Sequence, residues 1–318
     1  MAGILVLFLC AAMTLLAPPA NLGDGSGSEE LGRDRSALVT AIARGEAQTQ
    51  VVPEAAQAPS RFALLPAAQP LPVAHEFADP PRAGLMFDVD TGEVLWELHP
   101  DRELPIASLT KMMTALMIAE GHRAGEKVLI SRAAPKTGGS MIGLLPVGKK
   151  VSLGSLLQGL LLVSGNDAAT ALAEHDAGSV ERFVLRMNRE AARLGLGCSR
   201  FSSPHGLEDD GNYSCPRDLA VLARADLANG RIAAIAGSDR ARLPFPIEGG
   251  VLELYNNNPF IRAGDATITG LKTGYTKAAG RCYVTTAVRG GRELGVVLLD
   301  SPNPLEQVPR LLELGAAA

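Results

Sequence analysis

Two residues whose side chains could perform acyl transfer lie one helical turn apart. Ser108 and Lys111 enclose the run Ser-Leu-Thr-Lys, and positions i and i+3 of a helix share one face. A serine hydroxyl becomes a useful nucleophile only when a base takes its proton. Lys111 can be that base only as a neutral amine, so its pKa must fall by roughly 3 units from about 10.4 through burial or a nearby cation. The pair predicts a nucleophile and its proton acceptor, although a helix start with a solvated lysine has the same pattern.

A polar break, Ser164-Gly-Asn166, interrupts two strongly apolar helical segments. In the functional interpretation, Ser164 belongs to a proton relay and the Asn166 amide binds a substrate peptide. In the structural interpretation, the break is a turn between helices, with Asn166 or Asp167 as the cap of the second helix. The sequence leaves both interpretations open.

A third cluster, Lys272-Thr273-Gly274, lies on a predicted strand. It combines a positive charge, a hydroxyl and a backbone that a ligand can approach closely because glycine has no side chain. This combination suits a carboxylate held beside a sheet edge. An ordinary edge strand protected by a lysine is the alternative.

The elements that must position these clusters are strands, then helices, then strands. Helical spacing of apolar residues begins after Ser108, at 153–161, near Asp167, at 180–194 and after Ser214. Strand patterns lie at 83–90, 93–98, 267–273, 282–288 and 293–299. This order predicts an α+β fold in which both chain ends build one antiparallel sheet and a helical subdomain packs against it.

Composition excludes several classes of protein. Of the 318 residues, 47% are hydrophobic and 20% charged, which is typical of a chain with a real core. The net charge of −4 offers no basic excess for a phosphate backbone, so we expect no nucleic-acid binding. Five histidines without HExxH spacing and four cysteines without a CxxC pair predict no metal site and no cofactor.

Three consecutive regions are predicted. Residues 1–20 are expected to be a signal peptide or an N-terminal anchor, because the uncharged run Ile4–Ala17 is shorter than the roughly 20 residues of a membrane span and precedes small residues. No lysine or arginine precedes that run. Residues 21–82 are rich in Gly, Ser, Ala, Gln and Pro and predict a low-complexity tether, because such a segment buries too little apolar surface to fold. Residues 83–318 form the predicted folded domain.

The three clusters occur in the order SxxK, SxN, KTG, a motif set shared by serine β-lactamases and penicillin-binding proteins. Further stretches, 105–114, 204–207, 213–220 and 270–281, match the same family. Over 83–314 the chain resembles a low-molecular-mass penicillin-binding protein, a serine-type D-alanyl-D-alanine carboxypeptidase. The resemblance implies a β-lactamase/transpeptidase-like fold and a serine DD-peptidase catalytic domain.

The resemblance also implies a role for each motif residue. Ser108 would form the acyl-enzyme, Lys111 would accept its proton, and Ser164 would relay a proton toward the leaving amine. The backbone N–H groups of Ser108 and Tyr275 would form the oxyanion hole. The implied substrate-binding residues are Asn166 for the substrate amide, Lys272 and Thr273 for the terminal carboxylate, and Gly274 beside them. By charge alone, Lys272 near Lys111 would also help to keep Lys111 neutral.

The implied partners are peptidoglycan stem peptides ending in D-Ala-D-Ala, and β-lactam inhibitors. The expected location is outside the cytoplasm, with membrane attachment only through an uncleaved N-terminal segment. A DD-endopeptidase, a class A β-lactamase and a non-catalytic wall-binding module are the alternatives. Against the β-lactamase, Gly165 replaces the aspartate of SDN, and no ExxLN loop lies between Asn166 and Lys272.

The remaining candidates concern the stability of the domain. Cys198 and Cys215 bracket the Pro-His-Gly-Leu run and could form a disulfide worth about 3 kcal/mol, or could both be free thiols. Cys282 is expected in the core. His205 is expected to order its loop rather than to act as a base.

Overall fold

The computed structural model describes residues 60–207 and 210–318. The predicted segment 1–20 and the tether up to residue 59 lie outside the described residues. The strands, in chain order, are β1 (Ala83–Asp88), β2 (Val94–Leu98), β3 (Leu104–Pro105), β4 (Lys127–Leu129), β5 (Lys150–Ser152), β6 (Tyr213–Ser214), β7 (Arg240–Pro244), β8 (Val251–Tyr255), β9 (Ile268–Thr276), β10 (Gly280–Arg289) and β11 (Arg292–Leu299). The α-helices are α1 (Thr110–Gly121), α2 (Leu153–Leu162), α3 (Asn166–Ala177), α4 (Val180–Leu194), α5 (Pro216–Ala228), α6 (Gly230–Ala236), α7 (Pro259–Arg262) and α8 (Pro304–Ala317).

The main sheet joins the two ends of the folded domain. Its strand order is β2-β1-β11-β10-β9, and all neighbouring strands are antiparallel. The hairpin between β10 and β11 turns at Gly290 and Gly291, both with positive φ, as a tight two-residue turn requires. The predicted α+β fold, with strands from both chain ends, is confirmed.

Helices cover both faces of this sheet. Strand β1 is buried along its whole length, and its residues alternate between two apolar clusters. Leu85 and Phe87 belong to the larger cluster, which includes the helical middle, whereas Met86 packs with Leu311 and Leu312 of α8. A strand that is apolar on both sides therefore needs both layers, because each face must be removed from water.

The helical middle is organised around α1. Most of its residues are buried, including Lys111 and Thr114, as expected for a helix that is apolar on nearly all sides. The amphipathic α4 spans the predicted range 180–194. The Ser179 side chain caps it by accepting from the backbone N–H of Arg182, and Gly195 closes the helix with φ 77°. Among the described residues, no helix combines the length and the apolar character needed to cross a membrane.

Residues 60–82, assigned to the tether from their composition, pack against the domain. The Arg224 guanidinium donates to the carbonyls of Phe62 and Ala63 at 2.8 and 2.6 Å. Val73 is buried, and its N–H donates to Leu95 O at 3.0 Å. These contacts attach the last part of the predicted tether to the folded domain. The composition of a segment shows how little apolar surface it contains. It does not show that residues far away in the sequence, here Arg224 and Leu95, hydrogen-bond to its backbone.

Candidate active site

Ser108 and Lys111 meet at the start of α1. Ser108 lies in a short 3₁₀ turn (Ala107–Leu109) directly before the helix. Helical side chains point toward the helix N-terminus, so Lys111 reaches back and its Nζ lies 2.9 Å from Ser108 Oγ. The Lys111 side chain is fully buried, and Nζ also donates to His205 O at 2.7 Å. The hydroxyl and the amine are thus held at hydrogen-bond distance within the protein interior.

The Pro-His-Gly-Leu loop is fixed against α1. Thr114 Oγ1 donates to Pro204 O at 2.7 Å. Gly206 has φ +72°, and a Cβ there would collide with the carbonyl oxygen of Ala107, so only glycine lets the loop come this close. The His205 ring orders the loop, because its Nδ1 accepts from the N–H of Leu207 at 3.1 Å. This contact agrees with the role expected for that histidine.

The structure places a disulfide between the two cysteines that bracket this loop. Cys198 and Cys215 are bonded, with their Cα atoms 5.9 Å apart. Cys282 is buried on β10, where its thiol donates to Ala279 O at 3.4 Å, as its core assignment predicted.

The second cluster lies between α2 and α3. Ser164 has φ 61°, an uncommon conformation for a residue other than glycine. Its Oγ is buried and has no hydrogen-bond partner among the described residues. The Asn166 Nδ2 donates to Gly138 O at 3.0 Å, whereas its Oδ1 is likewise buried and unpartnered within the described chain. Native structures pair most buried polar atoms, so such atoms call for an explanation, such as a ligand.

Asp167 does not cap α3 in the way one interpretation suggested. Gly165 occupies the N-cap position, without a side-chain hydrogen bond. The Asp167 carboxylate instead accepts from the N–H groups of Ile142 and Gly143 at 2.9 and 3.0 Å. It therefore holds the loop that contains Gly138 and Ser140 beside the break, a role that the local sequence does not reveal.

The third cluster lies on β9, the edge strand of the main sheet. A Cβ on Gly274 would lie 2.9 Å from Ser108 N and 3.0 Å from Ile106 O, so glycine lets the edge contact the Ser108 turn. Lys272 is buried, its Nζ donates to Thr273 O at 2.8 Å, and burial lowers its pKa to about 7. Tyr275, the next residue along this edge, is 66% exposed.

A cleft of about 470 Å³ connects the three clusters. Its lining residues are Ser108, Ser140, Ser164, Asn257, Thr273, Gly274, Tyr275, Arg281 and Tyr283. Lys111 and Lys272 are buried and do not line the cleft. Lys111 is hydrogen-bonded to Ser108 Oγ, and Ser108 does line it. A larger groove of about 770 Å³, next to Trp96 on the outer side of β2, contains none of the three clusters.

Sequence reasoning singled out neither Ser140 nor Asn257. Asn257 enters the cleft because its N–H donates to Leu162 O at 2.8 Å and its Nδ2 to Val163 O at 3.1 Å, which ties its loop to the Ser164 break. No spacing signal connects these positions. Arg281 and Tyr283 have a weak signal, since they follow the KTG cluster across one hairpin.

The antiparallel sheet, the helical subdomain and the serine–lysine pair between them define the penicillin-binding and transpeptidase class of fold. The family model of the D-alanyl-D-alanine carboxypeptidases, Peptidase S11, matches residues 79–303, and the chain belongs to this family. The resemblance inferred from the motifs is thereby confirmed.

Curated relatives and solved structures agree with this family. The chain is 34% identical over 264 residues to the D-alanyl-D-alanine carboxypeptidase DacF of Bacillus subtilis, covering 80% of this chain and 66% of that one. It spans about half to two thirds of the length of the first curated relatives that it matches. The Streptomyces K15 DD-transpeptidase superimposes with a TM-score of 0.71 at 28% identity, over 77% of this chain and 100% of that one. A D-alanyl-D-alanine carboxypeptidase from Mycobacterium tuberculosis gives a TM-score of 0.70 at 29% identity, over 82% and 97%.

Proposed function

We propose that the chain is a penicillin-sensitive serine D-Ala-D-Ala carboxypeptidase that trims peptidoglycan stem peptides through an acyl-enzyme on Ser108. The observation that carries this proposal is the buried Lys111 amine, 2.9 Å from Ser108 Oγ at the floor of the cleft. A nucleophile and a base at hydrogen-bond distance are the core of covalent acyl transfer.

In the acylation step, Ser108 Oγ attacks the carbonyl carbon of the penultimate D-alanine while Lys111 Nζ takes the hydroxyl proton. The backbone N–H groups of Ser108 and Tyr275 stabilise the negative charge on the carbonyl oxygen. The contact between the β9 edge and the Ser108 turn at Gly274 supports this pairing of donors. Ser164, whose buried Oγ lacks a described partner, passes a proton to the leaving amine as the C–N bond breaks.

Substrate binding uses the remaining motif residues. The unpartnered Asn166 Oδ1 accepts an N–H of the stem peptide. The Thr273 hydroxyl and the Lys272 ammonium hold the terminal carboxylate, which favours the charged form of Lys272 by opposite charge. A positive Lys272 in turn favours the neutral form of Lys111. In deacylation, a water attacks the acyl carbon and gives a proton to the Lys111 amine, which is neutral again after the relay. The bond from the acyl carbon to Ser108 Oγ then breaks, and this oxygen takes the proton back from Lys111.

The same arrangement would make β-lactams long-lived inhibitors. Among the described residues that line the cleft there is no carboxylate that could activate a deacylating water, which argues against a class A β-lactamase. Glu208 lies outside the described residues. A wall-binding module without catalysis would not need the serine–lysine contact, whereas a DD-endopeptidase would use the same chemistry on a larger leaving group.

A location outside the cytoplasm follows from the proposed substrate. The disulfide Cys198–Cys215 supports it, because such bonds persist in oxidising compartments. Residues 1–20 would then be the signal peptide or anchor, and residues 21–82 the tether, of which the part from residue 60 contacts the domain.

Labelling with a fluorescent penicillin, followed by peptide mapping, tests the proposal. We expect one penicillin adduct, on Ser108, with a lifetime much longer than one turnover of the peptide substrate. We also expect D-alanine release from a diacylated D-Ala-D-Ala peptide. Ser108→Ala should abolish both, on the order of 10⁶-fold for the loss of a nucleophile. Ser238→Ala, on the loop after α6 and outside the cleft, is the control and should retain both. D-alanine release by Ser108→Ala would refute the assignment, and rapid penicillin hydrolysis would favour the β-lactamase.

A second candidate, transpeptidation, is favoured by the likeness to the Streptomyces DD-transpeptidase. Both reactions share the acyl-enzyme and differ only in whether water or an amine accepts the acyl group. Adding an amino-acid acceptor to the peptide assay separates them. A carboxypeptidase should continue to give the hydrolysed product, whereas a transpeptidase should divert the acyl group to the amine. A crosslinked muropeptide dimer tests endopeptidase activity in the same assay.

A further inference from the structure

A second cluster of ionisable side chains lies at the far ends of the helices that carry the active site. His122 directly follows α1, and Glu126 lies in the loop after it. His175 and Asp176 lie in the last turn of α3. Each helix has 12 residues, so this cluster is about 18 Å from the active-site ends of α1 and α3. None of its members belongs to the proposed catalytic machinery.

Three ligand atoms converge in this cluster. His122 Nδ1 lies 2.9 Å from Glu126 Oε2, and His175 Nε2 lies 3.3 Å from the same oxygen. All three atoms lie within 4.8 Å of one another. In a tetrahedral zinc site with bonds of about 2.0–2.1 Å, ligand atoms are about 3.3 Å apart. A zinc ion would therefore require His122 Nδ1 and Glu126 Oε2 to separate by a few tenths of an ångström, and the two ring nitrogens to approach each other by at most about 1.5 Å.

The side chains around these atoms orient them as the outer contacts of a metal site do. The second ring nitrogen of His122, Nε2, faces Asp176 Oδ1 at 3.0 Å, and Arg186 pairs with Asp176 Oδ2 at 2.7 Å. The Arg123 N–H donates to the other oxygen of Glu126, Oε1, at 2.7 Å. Such a carboxylate–histidine contact fixes the ring tautomer and leaves the opposite nitrogen free to bind a metal.

The contacts of His122 favour a cation at this point, either a second proton on the ring or a metal ion. When His122 Nε2–H donates to Asp176, the Nδ1 lone pair faces a carboxylate oxygen, and two acceptors repel each other. A proton on Nδ1 would relieve only that contact. A metal ion would in addition engage His175, which approaches the same oxygen from the other helix.

We propose that His122, Glu126 and His175 bind a zinc ion, with Asp176 as a positioning residue for His122. Imidazole and carboxylate ligands suit zinc. The three side chains are 18, 37 and 24% exposed, so an ion can enter from solvent and a water can complete the coordination. The ion would connect α1 to α3 at the ends opposite the cleft. The sequence predicted no metal site, because His122 and His175 are 53 positions apart and only the fold brings them together.

Equilibrium dialysis of the tag-free, chelator-treated full chain against Zn²⁺ tests the proposal. We expect one zinc per chain, with binding abolished in His122→Ala and in His175→Ala. Asp176→Asn should weaken binding by about 10–100-fold, as loss of an orienting carboxylate does. His99→Asn, at an exposed histidine outside the cluster, is the matched control and should bind as the wild type does. Absence of zinc binding by the wild type, or wild-type affinity in either alanine variant, overturns the proposal.

Two measurements on the wild-type protein keep the test independent of variant folding. Substitution with Co²⁺ should give the visible absorption of tetrahedral cobalt, and an octahedral spectrum would contradict the site. Zn²⁺ should also protect His122 and His175, but not His99, from carbethoxylation mapped by peptide mass spectrometry. Equal modification of all three histidines with and without Zn²⁺ would equally refute it.

Discussion

The two ends of α1 and α3 carry polar clusters of opposite character. At the N-terminal ends, the Ser164 hydroxyl and the Asn166 carbonyl oxygen are buried without a partner among the described residues. At the C-terminal ends, both ring nitrogens of His122 face carboxylates. Unpaired buried groups cost stability, whereas charged pairs do not leave that deficit. The Ser164–Asn166 cluster therefore suits a substrate that binds transiently, whereas the proposed zinc cluster suits a permanently bound ion.

Among changes that keep the Ser108 hydroxyl, the largest expected effect is at Lys111, the base of the serine–lysine pair. Lys111→Met should lower the rate of acylation by penicillin by about 10²–10⁴-fold, because the hydroxyl proton loses its acceptor. Lys150→Met, at an exposed lysine outside the cleft, should react as the wild type does. The measurement is the second-order rate of adduct formation by mass spectrometry. If Lys111→Met reacted within a few-fold of the wild-type rate, Lys111 would not be the base, and the cluster at the N-terminal ends of the helices would lose its assignment as the reactive site.

The contact between the β9 edge and the Ser108 turn should be nearly as sensitive. Gly274→Ala places a methyl group 2.9 Å from Ser108 N, so the turn or the strand must move. A displacement of about 1 Å at reacting groups costs roughly 10²-fold in rate. Gly230→Ala is the control, since a Cβ there would meet nothing within 4 Å. Unchanged acylation in Gly274→Ala would show that the edge does not position the nucleophile.

The pH dependence of substrate binding should reveal the buried Lys272. Its pKa of about 7 means that the free protein loses this positive charge as the pH rises above neutrality. For peptides with a free terminal carboxylate, kcat/KM should therefore fall by about tenfold per pH unit above that value.

Two comparisons assign this alkaline decline. Lys272→Arg should move it to much higher pH, because an arginine stays charged. A substrate without the terminal carboxylate should not show it in the wild type. A decline that is identical for both substrates and both proteins would place the titrating group elsewhere.

The smallest expected effect is on the free energy of unfolding of the metal-free protein, through His122 in the proposed zinc cluster. Burial opposes a charged His122, but hydrogen bonds to Glu126 and Asp176 outweigh it and raise the pKa of this histidine. The folded state then binds the proton more tightly than the unfolded state, so the stabilisation is present at low pH and is lost as the pH rises through the raised pKa.

Urea unfolding of wild type and His122→Gln measures this contribution. The difference between their midpoints should be larger below about pH 6 than above about pH 8, while Ser238→Ala, at a residue that does not titrate, should show no such trend. A difference that grows with pH would mean that the proton does not hold this cluster together.

Local patterns accounted for much of the architecture. The helical period of α2 and the caps of α4 at Ser179 and Gly195 act over a few residues, so the chain displays them directly. The same holds for the three motif clusters, whose order identified the family. The short strands β7 and β8 and the docking of residues 60–82 were not foreseen, because they depend on partners elsewhere in the chain.

The sequence by itself determined which chemical groups are available and in which order they occur. Only the tertiary structure decided their surroundings: the His205 carbonyl reaches Lys111 across 94 positions, Asp167 holds a loop 24 to 25 positions earlier, and Glu126 meets His175 across 49. Periodicity and capping are local properties of a chain, whereas burial and convergence depend on how the whole core closes. The lowered pKa of the buried Lys272 is a property of the tertiary structure, because the surrounding protein excludes the water that would stabilise its charged form.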